Sequence, residues 1–313
     1  MKKQVRNKGE KILVFGHGQM AGFIPEYFGN VTISKADIIK QSEIERDIKR
    51  YKPSVVINTA AKTSIDWCEL NKIEAFNVNT FGAINVWEVC KKYGVFLVHF
   101  SSGCIFSSPT PNVIYTEGDR PNPGCYYSWT KVWAENMLGE SPNLLILRPR
   151  IVISAHADKR NSLSKWMVYS HFISDLNTVT VIEDMIPVMK KMIEKRLNGV
   201  FNIANIGLIS PLEIACILRR KINTDMKIET TTLEEVNKNL VAKRVTTVLS
   251  MDKLKKAGYE LPNVDQSIPA IINRFKENLA KAGGLKALDV VRVETKAKYS
   301  ILGKKPSTYV DEN

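Results

Sequence analysis

The sequence is poor in the features that mark membrane, disulfide-stapled or metal-dependent proteins. No apolar run approaches the ~20 residues needed to cross a bilayer, so no membrane association is expected. Cysteine is scarce: Cys68, Cys90, Cys104, Cys125 and Cys216 are the five in 313 residues, an odd number at unpaired spacings. A disulfide framework and a cysteine-ligated metal are thereby excluded, and reduced thiols in a cytoplasmic protein are expected. The opening MKKQVRNKGEKILVFGHG is basic and then apolar. Its apolar core is only Ile12 to Phe15 and no small-residue cleavage site follows, so a secretory leader is not expected. Internal repeats are absent too. The excess of 45 Lys and Arg over 32 Asp and Glu gives a net charge of +13. These cations are interspersed with acids, as in EIERDIKR, and form no basic stripe with interleaved aromatics. A nucleic-acid partner is therefore not expected, whereas an anionic small molecule fits the charge.

What remains is an ordinary globular composition, 44% hydrophobic and 25% charged, on a chain long enough for a substantial core. Lys11 to Phe15 reads as a buried strand entering GHGQMAG and then a helix reaching Phe28. This strand, glycine turn and helix open a dinucleotide-binding fold. Gly16 permits the turn, Gly18 lets backbone approach a pyrophosphate, and Ala21 allows close packing. Gln19 and Met20 open a helix whose free N–H groups suit phosphates. A second strand, Asn30 to Ser34, ends at Ser34-Lys35-Ala36-Asp37. A hydroxyl and a lysine stand where NAD sites carry an acid, which suits a 2′-phosphate and hence NADPH, with NADH left open. Asp37 either reaches the adenine or caps a helix over 38–51.

Val55 to Ala61 is a third strand running into a loop of small residues. The following stretch carries Phe76, Val78, Ile84, Val86 and Val89 at helical spacing, expected as a core face. Val95 to Phe100 is a fourth strand, delivering Ser102 and Cys104 at its carboxyl end, where ligands bind in open α/β sheets. A Pro- and Gly-rich loop leads to YYSWTK. Tyr127 and Lys131 stand four apart on one helical face. An ammonium there is expected to lower the phenol's ordinary pKa of ~10, making Tyr127 a proton donor to a reduced carbonyl oxygen, with Ser102 holding that oxygen. Tyr-x-x-x-Lys alone also arises by chance in many helices. NLLILR (143–148) is a further strand, and VTVIED, a helix to Arg196 and GVFNIAN return to the sheet pattern. The alternation implies an α/β fold, a doubly wound parallel sheet of Rossmann type, with a smaller C-terminal substrate-binding domain. The dinucleotide-binding domain is placed at 1–153, with 178–205 returning to it, the substrate domain at 154–177 and 206–280, and a basic tail of unassigned role at 281–313.

The pieces FGHGQMAG, VINTAAKTSIDWCE, FNVNTFGAINV, SSGCIF, YYSWTK, RPRIVIS and GVFNIAN, with a looser KRVTTVLSMDKL, run in order over about residues 10 to 275. In them the chain resembles the extended short-chain dehydrogenase/reductases, within them the dTDP-4-dehydrorhamnose reductase branch. It looks closest to the bifunctional nucleotide-4-keto-6-deoxyglucose 3,5-epimerase/4-reductases that make nucleotide-L-rhamnose. The resemblance implies a hydride-transfer trio of Ser102, Tyr127 and Lys131, and cofactor contacts from Gly16 to Ala21, from Asn58, Ala60, Ala61 and Lys62, and from Asn79. It implies Cys104 as the epimerising acid, with Lys165 as base and His171 as second choice. Arg160, Asn161 and Arg244 are implied nucleotide-sugar contacts. Epimerising carbons beside a ketone needs a base on one face and an acid on the other, and a thiol, ordinarily titrating near ~8.5, suits the acid. The glycine loop, one residue shorter than usual in this family, and Trp129 inside the Tyr-x-x-x-Lys helix depart from the pattern. Trp129 is expected to face away from the catalytic side. Two alternatives stay open: a reductase without epimerase activity, and a non-catalytic NADP-binding regulatory subunit such as the related methionine adenosyltransferase β-subunit. A homodimer is also left open.

Overall fold

A computed structural model describes residues 10–108, 113–238 and 240–293. The first nine residues, part of the Pro-rich loop (109–112), residue 239 and the tail from 294 to 313 lie outside the described residues. Six parallel strands form the central sheet: β1 (Ile12–Phe15), β2 (Val31–Ser34), β3 (Val55–Asn58), β4 (Phe96–Phe100), β5 (Leu144–Arg148) and β6 (Gly199–Asn202). Their order is β2-β1-β3-β4-β5-β6. The chain reverses direction across the sheet between β1 and β3, and at such a switch point the carboxyl ends of the strands leave a crevice.

Alternation along each strand sorts the side chains onto two faces. Ile12, Val14, Val55, Ile57, Val98 and Leu145 join one core with α1 (Gln19–Tyr27) and α5 (Ile182–Glu194). Leu13, Phe15, Val56, Leu97 and Ile146 join the opposite core with α2 (Gln41–Tyr51), α3 (Gly82–Tyr93) and α4 (Tyr126–Leu138). Each such fully buried aliphatic side chain contributes about 1.5–3 kcal/mol, so both faces are strongly specified.

A separate apolar core gathers Leu163, Phe172, Val179 and Ile214 with Ile272, Phe275, Leu288 and Val291. It is built around α6 (Pro211–Lys221) and α7 (Val264–Lys281). Ser210 and Glu213 close a capping box on α6 with Pro211 in its first turn, which fixes where that helix starts. Leu288 and Val291 show that the stretch after Lys281, unassigned from sequence, packs into this core. No helix among the described residues is long and apolar enough to cross a membrane.

Several expectations need correction. Thr180–Val181 pairs with Val152–Ile153 in a separate ribbon rather than joining the sheet. The second helix starts at Gln41, and Asp37 makes a turn before it by accepting from the Ile39 N–H. Phe76 is 38% exposed instead of lying in the core with Val86. The cause is a π-turn over Asn77–Phe81, whose extra residue rotates everything before it out of phase with α3.

Gly16 is required by its surroundings. Its φ is +110°, and a Cβ there would lie 2.5 Å from Thr59 Oγ1 and 2.7 Å from the Ala60 nitrogen. Gly16→Ala is therefore expected to cost about 2–4 kcal/mol through backbone strain and overlap, read as a lowered melting temperature. An unchanged melt would contradict this account of the turn.

Candidate active site

The turn after β4 brings the chemistry together. Ser102 precedes a single 3₁₀ turn over Gly103–Ile105, and its hydroxyl accepts from the Cys104 N–H at 3.1 Å. Facing it, α4 carries Tyr127 and Lys131, both buried at 8% and 2% exposure. The Ser102 hydroxyl lies close enough to the Tyr127 phenol to favour its ionised form. Cys104, Cys68, Cys125 and Ala242 pack around the same phenol in one small cluster. The three groups expected from sequence to perform hydride transfer, and the expected epimerising thiol, thus meet at one place.

The electrostatics differ from expectation in one respect. Burial, then the neighbouring Cys104, raises the Tyr127 pKa above its usual range, with Ser102 pulling the other way. The lowering expected from Lys131 is not seen, because the Lys131 ammonium is turned to the Phe100 carbonyl at 2.9 Å. A raised phenol is a neutral phenol at physiological pH, the state that can donate a proton. Burial also pushes Lys131 down to about 8, opposed by the negative charge of Glu135. Glu135 itself is held by the buried Arg148, with contacts of 2.5 to 3.2 Å. Next door, burial and the Lys131 charge keep His99 neutral, its pKa far below normal.

Lys131 makes stability depend on pH. The unfolded chain keeps that proton to about 10.4, whereas the folded chain releases it near 8. Between those values the unfolded state binds more protons, so folded stability rises with pH. Relative to Lys131→Met, the wild type should gain about 3 kcal/mol across that window, measured by denaturant unfolding at pH 7 and pH 10. A difference that stays flat with pH would contradict the buried charge.

The glycine turn offers a cradle. Nothing lies within 4 Å of a Cβ placed at Gly18. The first-turn N–H groups of Gln19, Met20 and Ala21 have no side-chain cap, so the positive end of α1 faces open space, as a pyrophosphate requires. The Gln19 amide donates to Ser154 at 2.8 Å, and Met20 and Ala21 pack toward the core. Asn79, buried on the π-turn, grips the Lys62 backbone through both its amide atoms at 2.7 and 3.0 Å and also reaches Thr130. Asn58 is likewise turned inward, accepting from the Ala60 N–H and meeting His99. Both shape the Ala60–Lys62 loop rather than presenting their own side chains. Lys35 is exposed at the tip of β2. Ser34 does not stand beside it as expected: at 2% exposure, its hydroxyl donates to Asp47 at 2.6 Å.

The expected sugar contacts fare unevenly. Lys165 lies half-buried on a short helix, Ser162–Trp166. Asn161 is fully buried, and both its amide atoms are used on Ser154, His156 and Leu163. It caps that helix and has no capacity left for a sugar. Arg160 bonds Asp158 and donates to the His17 carbonyl of the glycine turn at 3.0 Å. Arg244 forks onto the buried Asp66 at 3.0 and 2.8 Å and also donates to Ala242. It pins its own loop beside the Tyr127 cluster. Both ring nitrogens of His171 are engaged, by Ser170 and Glu229, which disfavours it as a base. Trp129, 42% exposed, stacks on Trp133 away from the buried Tyr127 and Lys131.

Arg150 has no expected role beyond its place in the RPRIVIS piece. In the structure its guanidinium donates to Cys104 Sγ at 2.9 Å. The signal is present: Arg148-Pro-Arg150 ends a buried strand with one cation and follows it with another, at the carboxyl end of the sheet that delivers Ser102 and Cys104.

The comparisons with known proteins fit this arrangement. The chain is 32% identical over 238 residues to a bifunctional dTDP-4-dehydrorhamnose 3,5-epimerase/dTDP-4-dehydrorhamnose reductase of Arabidopsis thaliana, covering 73% of this chain and 79% of the relative. It is also 32% identical to a trifunctional UDP-glucose 4,6-dehydratase/UDP-4-keto-6-deoxy-D-glucose 3,5-epimerase/UDP-4-keto-L-rhamnose-reductase of the same plant, covering 82% of this chain and only 41% of the relative. Among solved structures, the L780 UDP-rhamnose synthase of Acanthamoeba polyphaga mimivirus superposes with a TM-score of 0.79 at 26% identity, covering 85% of this chain and 99% of that one. A dTDP-4-dehydrorhamnose reductase of Bacillus anthracis solved with NADP, at 21% identity and a TM-score of 0.73 over 85% of this chain and 98% of that one, shares the fold. The family model described as the RmlD substrate binding domain matches residues 11–277. With this match over most of its length, the chain belongs to the RmlD substrate binding domain family.

Proposed function

We propose that the protein is an NADPH-dependent 3,5-epimerase/4-reductase that converts UDP- or dTDP-4-keto-6-deoxyglucose to the nucleotide-L-rhamnose. The observation that carries this reading is Cys104 packed against the same phenol that Ser102 contacts. An acid for carbon and an acid for oxygen then face one substrate. Gly16 to Ala21 with the Ala60–Lys62 loop would hold the dinucleotide, and Lys35 supplies the cation for a 2′-phosphate, which favours NADPH. When bound, the nicotinamide supplies the hydride that reduces carbon 4.

The chain's own residues do the rest. Lys165 acts as the base and takes a proton from a carbon flanking the ketone, and the C–H electron pair moves into an enolate. Cys104 delivers its proton to the opposite face, the electron pair returns to form the new C–H bond, and the ketone is restored. Ser102 then holds the carbon-4 oxygen while Tyr127 passes it a proton. Lys131, now bonded to the Phe100 carbonyl, would hold the ribose.

The test is NADPH oxidation with UDP- and dTDP-4-keto-6-deoxyglucose and no added epimerase. Turnover with either supports the reading and identifies the nucleotide. Turnover only after a separate 3,5-epimerase is added would reduce the protein to a 4-reductase. No turnover under either condition would favour a non-catalytic binding subunit.

A further inference from the structure

Arg150 is a buried cation without a carboxylate. It is 8% exposed, and among the described residues no acidic side chain pairs with it. Its fork is instead distributed over neutral groups: one terminal nitrogen meets Cys104 Sγ at 2.9 Å, and the other meets Asn177 Oδ1 at 3.1 Å and the Val245 carbonyl. Its Nε has no hydrogen-bond partner among the described residues. A guanidinium taken out of water in this way is costly unless an anion joins it.

The backbone is arranged to keep it there. The Arg150 N–H donates to Thr180 Oγ1 at 3.0 Å, and the Gly103 N–H donates to the Pro149 carbonyl at 2.8 Å. A Cβ at Gly103 would come within 3.2 Å of the Arg150 Cβ, so glycine lets the two turns touch. Directly after it, Ile151 has a φ of +39°, an unfavourable conformation for a β-branched residue. Two strands' ends are thus locked together so that one cation faces one sulfur.

We propose that Arg150 is the positioning residue of the epimerising thiol: it fixes the Cys104 sulfur and compensates the thiolate left when that thiol gives its proton to the sugar carbon. The inference rests on the epimerase reading above. The S–H bond breaks and the C–H bond forms, the sulfur keeps the electron pair, and the resulting negative charge sits at hydrogen-bond distance from a fixed positive one. This also supplies the anion that the buried guanidinium lacks. Asn177 and Val245 hold the fork in place, so the charge need not reorganise as it is formed.

The test compares the wild type with R150M and R150K, using two readouts. The first is the rate at which iodoacetamide alkylates Cys104 at pH 7.5, followed by peptide mass so that the exposed Cys216 does not interfere. The second is deuterium exchange at carbons 3 and 5 of the 4-keto-6-deoxyglucose nucleotide in deuterated water, without cofactor. Because alkylation follows the thiolate, R150M is expected to slow it about tenfold or more and to slow exchange about 100-fold or more. R150K, which keeps the charge, should stay within about threefold on alkylation. If Arg150 merely props the fold, R150K and R150M will behave alike, because both lose the fork; that result overturns the proposal, as does wild-type behaviour of R150M. Should R150M not fold, R150K decides alone: alkylation within threefold supports the proposal, and a tenfold loss overturns it. Alkylation involves no sugar, so it still reads the Arg150–Cys104 coupling if the wild type proves to have no exchange, in which case the parent reading has failed instead.

Discussion

Tyr127→Phe is expected to lower 4-keto reduction by about 1,000-fold while leaving the fold intact. The Tyr127 phenol is buried in the cluster that Cys68, Cys125 and Cys104 share, and burial keeps it protonated. Removing its oxygen leaves the new alkoxide without a donor, and Ser102 alone can hold but not replace the proton source. The ring itself remains, so the packing against Cys68, Cys125 and Ala242 persists. Loss of the buried hydroxyl should change stability by no more than about 1 kcal/mol. Steady-state NADPH oxidation with a calorimetric melt checks both parts. A loss below tenfold would mean that another group delivers the proton.

Cys104→Ala is expected to separate the two half-reactions. Exchange at carbons 3 and 5 should fall by about 1,000-fold, because the substitution removes the proposed proton donor to carbon. Reduction of a substrate already epimerised should stay within about threefold. The reason is geometric: the Cys104 backbone N–H that Ser102 accepts from survives the substitution, so Ser102 keeps its place beside Tyr127. Solvent-exchange and reductase assays on the same preparation read the split. Equal loss of both activities would show that Cys104 supports the hydride-transfer pair instead of acting on carbon.

Much of this site could be read from the sequence because it lies where strands end. Ser102 and Cys104 follow a buried apolar run, and Gly16 and Gly18 follow another, so strand periodicity placed them at the crevice. Tyr127 and Lys131 were legible from helical spacing. What sequence could not give was the direction in which polar side chains turn once placed. Asn58, Asn79 and Asn161 sit at the expected positions, yet their amides are used on neighbouring backbone, because buried loops near a cofactor must satisfy their own N–H and C=O groups. Ser34 was drawn inward by Asp47, a residue 13 positions away. Arg244 and Asp66 are 178 apart, beyond any local pattern. The Tyr127 acidity ran opposite to expectation because burial outweighed a neighbouring ammonium that points elsewhere.

The most direct measurement is the position of deuterium in the product formed from UDP- or dTDP-4-keto-6-deoxyglucose with NADPH in deuterated water, by NMR. Two acids around one sugar predict a rhamnose nucleotide carrying solvent deuterium at carbons 3 and 5 and the cofactor's hydrogen at carbon 4. A reduced product with no deuterium at carbons 3 and 5 would contradict the claim that this single site both epimerises and reduces.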